Sequence, residues 1–298
     1  MTRVLVSLGV LLMGGSSDPR AGSPARPDLA ASTRAWHEAR IARLTAEDGW
    51  LTLVGLHWLK EGANRFGSAS TNEVAFPASA PNQVGTFLRR GSIVSVTIEP
   101  GQMLQMNGKP FGGGILRSDV EGPPDVLELG RLHFYVIKRG DKIGIRVKDP
   151  QAEARRNFHG IETYPPSASW RLEARFEPAA APRTLAVPNV LGTVEEMPSP
   201  GTAVFTWNGA EYRLDPVVEP GSDKLFFIFG DATNRTETYG AGRFLYTDMP
   251  RRGKVVLDFN QAYNPPCAFS AFATCPLPPR QNRLPVRVEA GERRYGNH

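Results

Sequence analysis

The sequence predicts a mainly β fold: one or two antiparallel sandwich- or barrel-like domains behind a short N-terminal helix. Three observations carry this. Glycine and proline number 30 and 26 of 298 residues, a share that suits many short strands and turns better than long helices. Apolar and polar residues alternate with period two in segment after segment, as half-buried strands require. No strand–helix–strand alternation appears, which argues against a parallel sheet.

The elements follow in chain order. Met1 to Ser17 has one Arg and then an apolar run, Val4 to Met13. That run is too short to span a bilayer and suits a signal-peptide core, with a buried first strand as the alternative. Residues 1–23 are therefore expected to be a leader, the protein to be secreted or periplasmic, and no stable membrane span is expected. Ser32 or Thr33 can cap a helix running to about Glu47, closed by Asp48-Gly49. The glycine-cut segment from Gly49 to Gly67 reads as short strands and tight turns.

From Gly85 the strand period takes over. Asn107-Gly108 and Asn208-Gly209 are hairpin turns, because Asn-Gly supplies two positive-φ positions. Arg139-Gly140-Asp141 joins a further pair of strands, and its Arg-Gly-Asp triplet reads as turn chemistry. KLFFIF (224–229), KVVLDF (254–259) and LPVRVEA (284–290) are expected strands. A short helical turn and a proline-bearing connector between about Asp149 and Ser169 divide the chain into halves, 28–155 and 160–295.

The formal charge of +5 comes mostly from the end of the chain, where Gly230 to His298 holds ten Arg or Lys against six Asp or Glu. These cations are single or paired and never form a dense stripe, which argues against nucleic acid as a partner. Isolated arginines suit a small anionic ligand better. Familiar catalytic signatures fail: His37-Glu38 is followed by Ile41 where a zincin needs His, Gly112-Gly113-Gly114 lacks the Lys of a P-loop, and no G-x-S-x-G elbow occurs. The five histidines form no close pair, so no metal site or cofactor is legible.

The richest stretch is Gly230 to Glu292. Arg235, Tyr239, Arg243, Asp258, Asn260, Tyr263 and Asn264 all sit beside glycines, prolines or strand ends, where a rigid scaffold displays chemistry. Alternation puts Asp258 and Asn260 on one face of a strand end. The short connection from Arg243 makes the two strands expected antiparallel neighbours. Arg243, Asp258 and Asn260 are thus expected in one pocket, with Arg235 and Tyr239 at its rim. The competing reading is that Asp258 and Asn260 only cap the next turn. Cys267 and Cys275, the two cysteines of the chain, read first as a disulfide. A free, activated Cys267 and a pair of inert thiols are the alternatives.

These residues resemble a bacterial and archaeal family known as domain of unknown function 1684. The resemblance runs from about Trp36 to Tyr295. It rests most on the stretch from Asp231 through Thr238-Tyr239-Gly240 to Arg243-Phe244-Leu245, on Asp258-Phe259-Asn260 with Ala262 through Cys267, and on Cys275 through Pro279 with Asn282-Arg283-Leu284. It implies no activity. The functional expectation is an enzyme for a small polar or anionic substrate, with Asp258, Tyr239 and Arg243 catalytic and Arg235, Asn260 and Asn264 binding. A non-catalytic envelope ligand-binding module and a structural role are the alternatives.

Overall fold

The computed structural model describes residues 28–296. The expected leader and its apolar run lie outside them. Among the described residues no helix is long and apolar enough to cross a membrane.

The helix spans Leu29–Thr45 and is capped by the Asp28 carboxylate, which accepts from the Ala30 N–H. The cap therefore falls four to five residues before the expected Ser32 or Thr33; Thr33 is inside the helix and buried. Its buried stripe is narrow (Thr33, Arg40, Leu44), and it docks on the second half of the chain. Leu44 packs with Ala268 and Phe269, while Arg40 reaches Asn264 and Glu292.

Strands before residue 149 and strands after residue 170 share no sheet. The first set builds a six-stranded antiparallel sheet and a five-stranded sheet, face to face. In the six-stranded sheet Leu53–Trp58 pairs with Lys142–Lys148, which pairs with Leu132–Arg139. Phe134, Ile145 and Val147 point inward to meet Phe66 and Phe87 of the other sheet, a core closed by ring contacts of 4.3 to 6.2 Å. Period two then forces Tyr135, Arg139, Arg146 and Lys148 onto the opposite face. The hairpin glycines do what the sequence asks: Asn107-Gly108 and Asn208-Gly209 both lie at positive φ.

In the second set, Arg171–Pro178 pairs on one side with Gly201–Trp207 and on the other with Lys254–Asp258. Lys224–Phe229 pairs with Arg243–Asp248. The apolar run KLFFIF is a middle layer. Leu225, Phe227 and Phe229 enter one core with Phe205 and Phe259, whereas Phe226 and Ile228 enter another with Leu185, Val187 and Leu53. Burial on both faces explains why it shows no polar alternation.

Two expectations are corrected. The Arg243 strand pairs with Lys224–Phe229, not with the Asp258 strand. Residues 284–290 form no strand. Leu284 and Val286 bond to Gly230 and Ala232, but the carbonyls of Val288 and Ala290 are taken by the Arg243 guanidinium. A side chain replaces the ladder there.

Candidate functional site

Arg243 is wholly buried, at the end of its strand. Gly242 before it lies at φ +96°, and a Cβ there would come within 2.4 Å of Pro278 and 2.6 Å of the Phe229 carbonyl, so the approach of Arg243 depends on glycine. Its Nη2 donates to Asp231 Oδ2 at 2.9 Å and to the Val288 carbonyl at 2.8 Å; its Nη1 donates to the Ala290 and Glu292 carbonyls. Asp231 in turn accepts from the Thr233 N–H and hydroxyl and from the Val288 N–H. The pair is a clamp on the C-terminal strap, closed to any ligand.

The remaining predicted residues do not join it. Asp258 accepts from the Asn260 N–H and Nδ2 and lies 3.5 Å from Arg171. Asn260 is buried and exchanges hydrogen bonds with the main chain of Ser167. Asn264 is buried too, donating to Glu292 and to the Arg293 carbonyl. Arg235 is exposed at φ +75°. Tyr239 packs near Phe269 and Tyr295, and burial pushes its phenol up to about 12. The expected shared pocket of Arg243, Asp258 and Asn260 is thus absent, because Asp231 has taken the arginine and a turn has taken Asp258.

A cleft with a volume of about 700 Å³ lies elsewhere. It opens between the outer face of the six-stranded sheet, the C-terminal end of the helix, and the outer face of the Arg243–Asp248 strand. Period two supplies both walls. One brings Tyr135, Arg139 and Lys148; the other brings Phe244 and Tyr246, with Phe226 beside them. Phe226 stacks on Tyr246 at 4.5 Å, Tyr246 lies parallel to Tyr263 at 6.3 Å, and the Arg40 guanidinium caps Tyr263 at 4.6 Å. Arg43, Trp50, Glu219, Thr274 and Cys275 complete the lining. The Tyr246 hydroxyl donates to Glu219; burial above all, then Tyr263 and Glu219, keep this phenol protonated.

Electrostatics in the cleft are lopsided. Arg40 is matched by Glu292 at 3.3 Å, and Arg139 by Asp119 at 2.8 Å. Lys148 donates only to the Asp48 carbonyl, and Arg43 has no ion-pair partner among the described residues. Beside them Arg146 is 2% exposed and likewise has no carboxylate. It holds the Thr274 hydroxyl at 3.2 Å, lies over Trp50 at 5.4 Å, and leaves its Nε without an acceptor. Arg139 donates to the same Thr274 oxygen at 3.2 Å. With both lone pairs of that oxygen engaged, the Thr274 hydroxyl is left to donate.

Cys267 and Cys275 are free thiols, so the expected disulfide is not formed. The Cys275 N–H donates to Cys267 Sγ at 3.3 Å and the Cys267 N–H to Cys275 Sγ at 3.2 Å. Among the described residues no three His, Cys, Asp or Glu side chains come together as a metal site.

Sequence reasoning reached Tyr263, Cys267 and Cys275. It missed Tyr135, Arg139, Arg146 and Lys148, whose one signal is that they occupy the polar positions of two alternating strands. Such positions normally face water, and only the docking of the second half turns them into a wall.

The sequence profile of a family described as "Protein of unknown function (DUF1684)" matches residues 156–293. An uncharacterized protein of Haloarcula marismortui, solved by NMR in solution, is 30% identical over 48% of this chain and 81% of its own, with a TM-score of 0.41. The FHA domain of FhaA, solved in complex with an intracellular domain, is 17% identical over 31% of this chain and 97% of its own, with a TM-score of 0.23. An FHA domain from a study of phosphothreonine-dependent interactions gives 18%, 33%, 96% and 0.23. Superpositions this loose bear on neither fold nor ligand. No curated protein matches the chain.

Proposed function

The chain belongs to the DUF1684 family of proteins of unknown function, and from that premise we propose that it binds a small anionic molecule with a planar, unsaturated body in the cleft between its two halves. One observation carries the reading: Arg146, buried directly behind the cleft-lining Thr274, has no carboxylate to neutralise it among the described residues. A guanidinium stays charged at any physiological pH, and burying it unmatched is costly. An incoming anion removes that cost. Lys148, Arg43 and the Thr274 hydroxyl supply further donors, and the stacked Tyr246 and Tyr263 rings supply a flat apolar wall. The volume of about 700 Å³ suits a ligand of metabolite size.

A thermal-shift panel of aromatic carboxylates, phosphates and their neutral analogues tests this. An anion present at about one hundred times its Kd stabilises by about 2.7 kcal/mol, a shift of roughly 5–10 °C for a domain of this size. Arg43→Ala with Lys148→Ala weakens that anion about tenfold or more and leaves the unliganded melting point near wild type. A panel without a single shift, or a shift indifferent to the double substitution, refutes the reading. The Val4 to Met13 run is further read as an export signal, and N-terminal sequencing of the mature protein decides it.

A further inference from the structure

We infer that Cys267 and Cys275 form a redox-active dithiol at the wall of the cleft, which reduces small anionic disulfides by thiol–disulfide exchange. The anionic preference rests on the cleft reading above; the dithiol chemistry stands on its own geometry.

The two thiols are held toward each other by reciprocal N–H···S bonds of 3.2 and 3.3 Å. The Pro266–Ala268 turn presents Cys267, which is partly exposed, while Cys275 is buried and lines the cleft. Three groups set their electrostatics. Arg146 comes from the six-stranded sheet and holds Thr274, the residue before Cys275. Tyr239 faces both sulfurs from the loop before Arg243, and burial keeps its phenol protonated. Each thiol is the third group for the other.

Such surroundings favour one thiolate over two thiols. The hydrogen bond from the Cys275 thiol pulls Cys267 below the ordinary thiol range against its partial burial, with a smaller contribution from Arg146. The same bond and burial push Cys275 up. The two cysteines therefore differ as an attacking and a resolving thiol should: a thiolate poised to react and a thiol that holds its proton until needed.

The reaction balances without a further reagent. The Cys267 thiolate attacks one sulfur of the substrate R–S–S–R, forming Cys267–S–S–R and releasing R–S⁻. Cys275 then passes its proton to the released R–S⁻ and attacks the Cys267 sulfur, closing Cys267–Cys275 and expelling the second R–S⁻, which takes a proton from water. The substrate disulfide gains two electrons and becomes two thiols, and the protein dithiol is oxidised to one disulfide. The loop from Cys267 to Cys275, flanked by Pro265, Pro266 and Pro276, belongs to no strand, so closing the bond disturbs no ladder of a sheet.

The test uses the full chain with glutathione disulfide as the anionic probe and hydroxyethyl disulfide as an uncharged one. Wild type is expected to release two thiols per chain and to yield a crosslinked Cys267–Cys275 peptide on non-reducing mapping. Cys275→Ser, or Cys275→Ala if the serine disturbs the circular dichroism spectrum, is expected to stop at a mixed disulfide on Cys267. Cys267→Ser is expected to react at least tenfold more slowly. Arg146→Met is expected to move the pH midpoint of Cys267 alkylation upward, a readout that a purely structural role would leave in place. Native wild type that releases no thiol from either probe, or Cys267→Ser reacting as fast as wild type, overturns the dithiol. Equal rates with both probes overturn the anionic preference alone: the crosslink still supports the dithiol, and the thermal-shift panel decides the cleft reading separately.

Discussion

Arg243 and Arg146 invite comparison because both are strand residues buried almost completely, at 0% and 2% exposure. Arg243 is charge-matched: a carboxylate, three carbonyls and a phenyl face surround it, although its Nε, like that of Arg146, has no acceptor. Arg146 has one shared hydroxyl and an indole. The first arrangement offsets the desolvation of a charge from within the fold; the second leaves it open. Burial of a charged residue therefore does not mark a site. What marks one is a buried charge whose counter-charge is missing.

The comparison breaks most sharply at the clamp. Arg243→Met leaves Asp231 uncompensated in the interior and strands three carbonyls, so the loss expected is about 3–5 kcal/mol, measured by urea unfolding. Asp231→Asn combined with Arg243→Met recovers part of it, since the second change removes the orphaned charge. A loss below about 1 kcal/mol would mean that the pair is solvated and that the clamp does not exist in solution.

Arg146→Met should behave in the opposite way. Removing an unmatched buried cation while keeping its stem deletes one charge-assisted hydrogen bond and one indole contact but also relieves the desolvation of the charge, so stability should change by no more than about 1 kcal/mol in either direction. The effect appears in binding instead, as at least a tenfold weaker response to the anion that stabilises wild type. If Arg146→Met unfolds the chain as Arg243→Met does, the two arginines are alike and the contrast fails.

Much of the scaffold was legible. Asn107-Gly108 and Asn208-Gly209 announce their turns through local backbone chemistry, and the polar–apolar alternation of residues 132–148 announces a sheet with one wet face. The strap at 284–290 was misread because its pattern is that of a strand while its carbonyls are satisfied by a guanidinium from elsewhere. Arg243 and Asp258 were paired on the assumption that neighbours in sequence pair in space, yet Lys224–Phe229 and Arg171–Pro178 claim their strands. The cleft was invisible for the same kind of reason. Tyr135 and Arg146 share one hairpin while Tyr246 lies far along the chain, and nothing in any one segment says that two wet faces will meet.

A third ion pair shows what an arginine and a carboxylate do in water, and it carries the smallest expected effect. Arg65 donates to both Glu73 oxygens on the surface, at 3.2 and 3.1 Å, while the Arg65 N–H also donates to one of them. These bonds hold the Glu73 carboxyl at about 2 instead of 4.5. A folded-state value below the unfolded one means that the unfolded chain binds the extra proton first. The contribution is thus present above pH 4.5 and is lost as the pH falls toward 2. Glu73→Gln should leave the melting point nearly unchanged at neutral pH, because an exposed pair is screened, and should flatten the decline of the melting point across that acid window. Parallel wild-type and Glu73→Gln curves through the window would show that the bonds do not persist in solution. The pair would then give no baseline against which to judge the buried arginines.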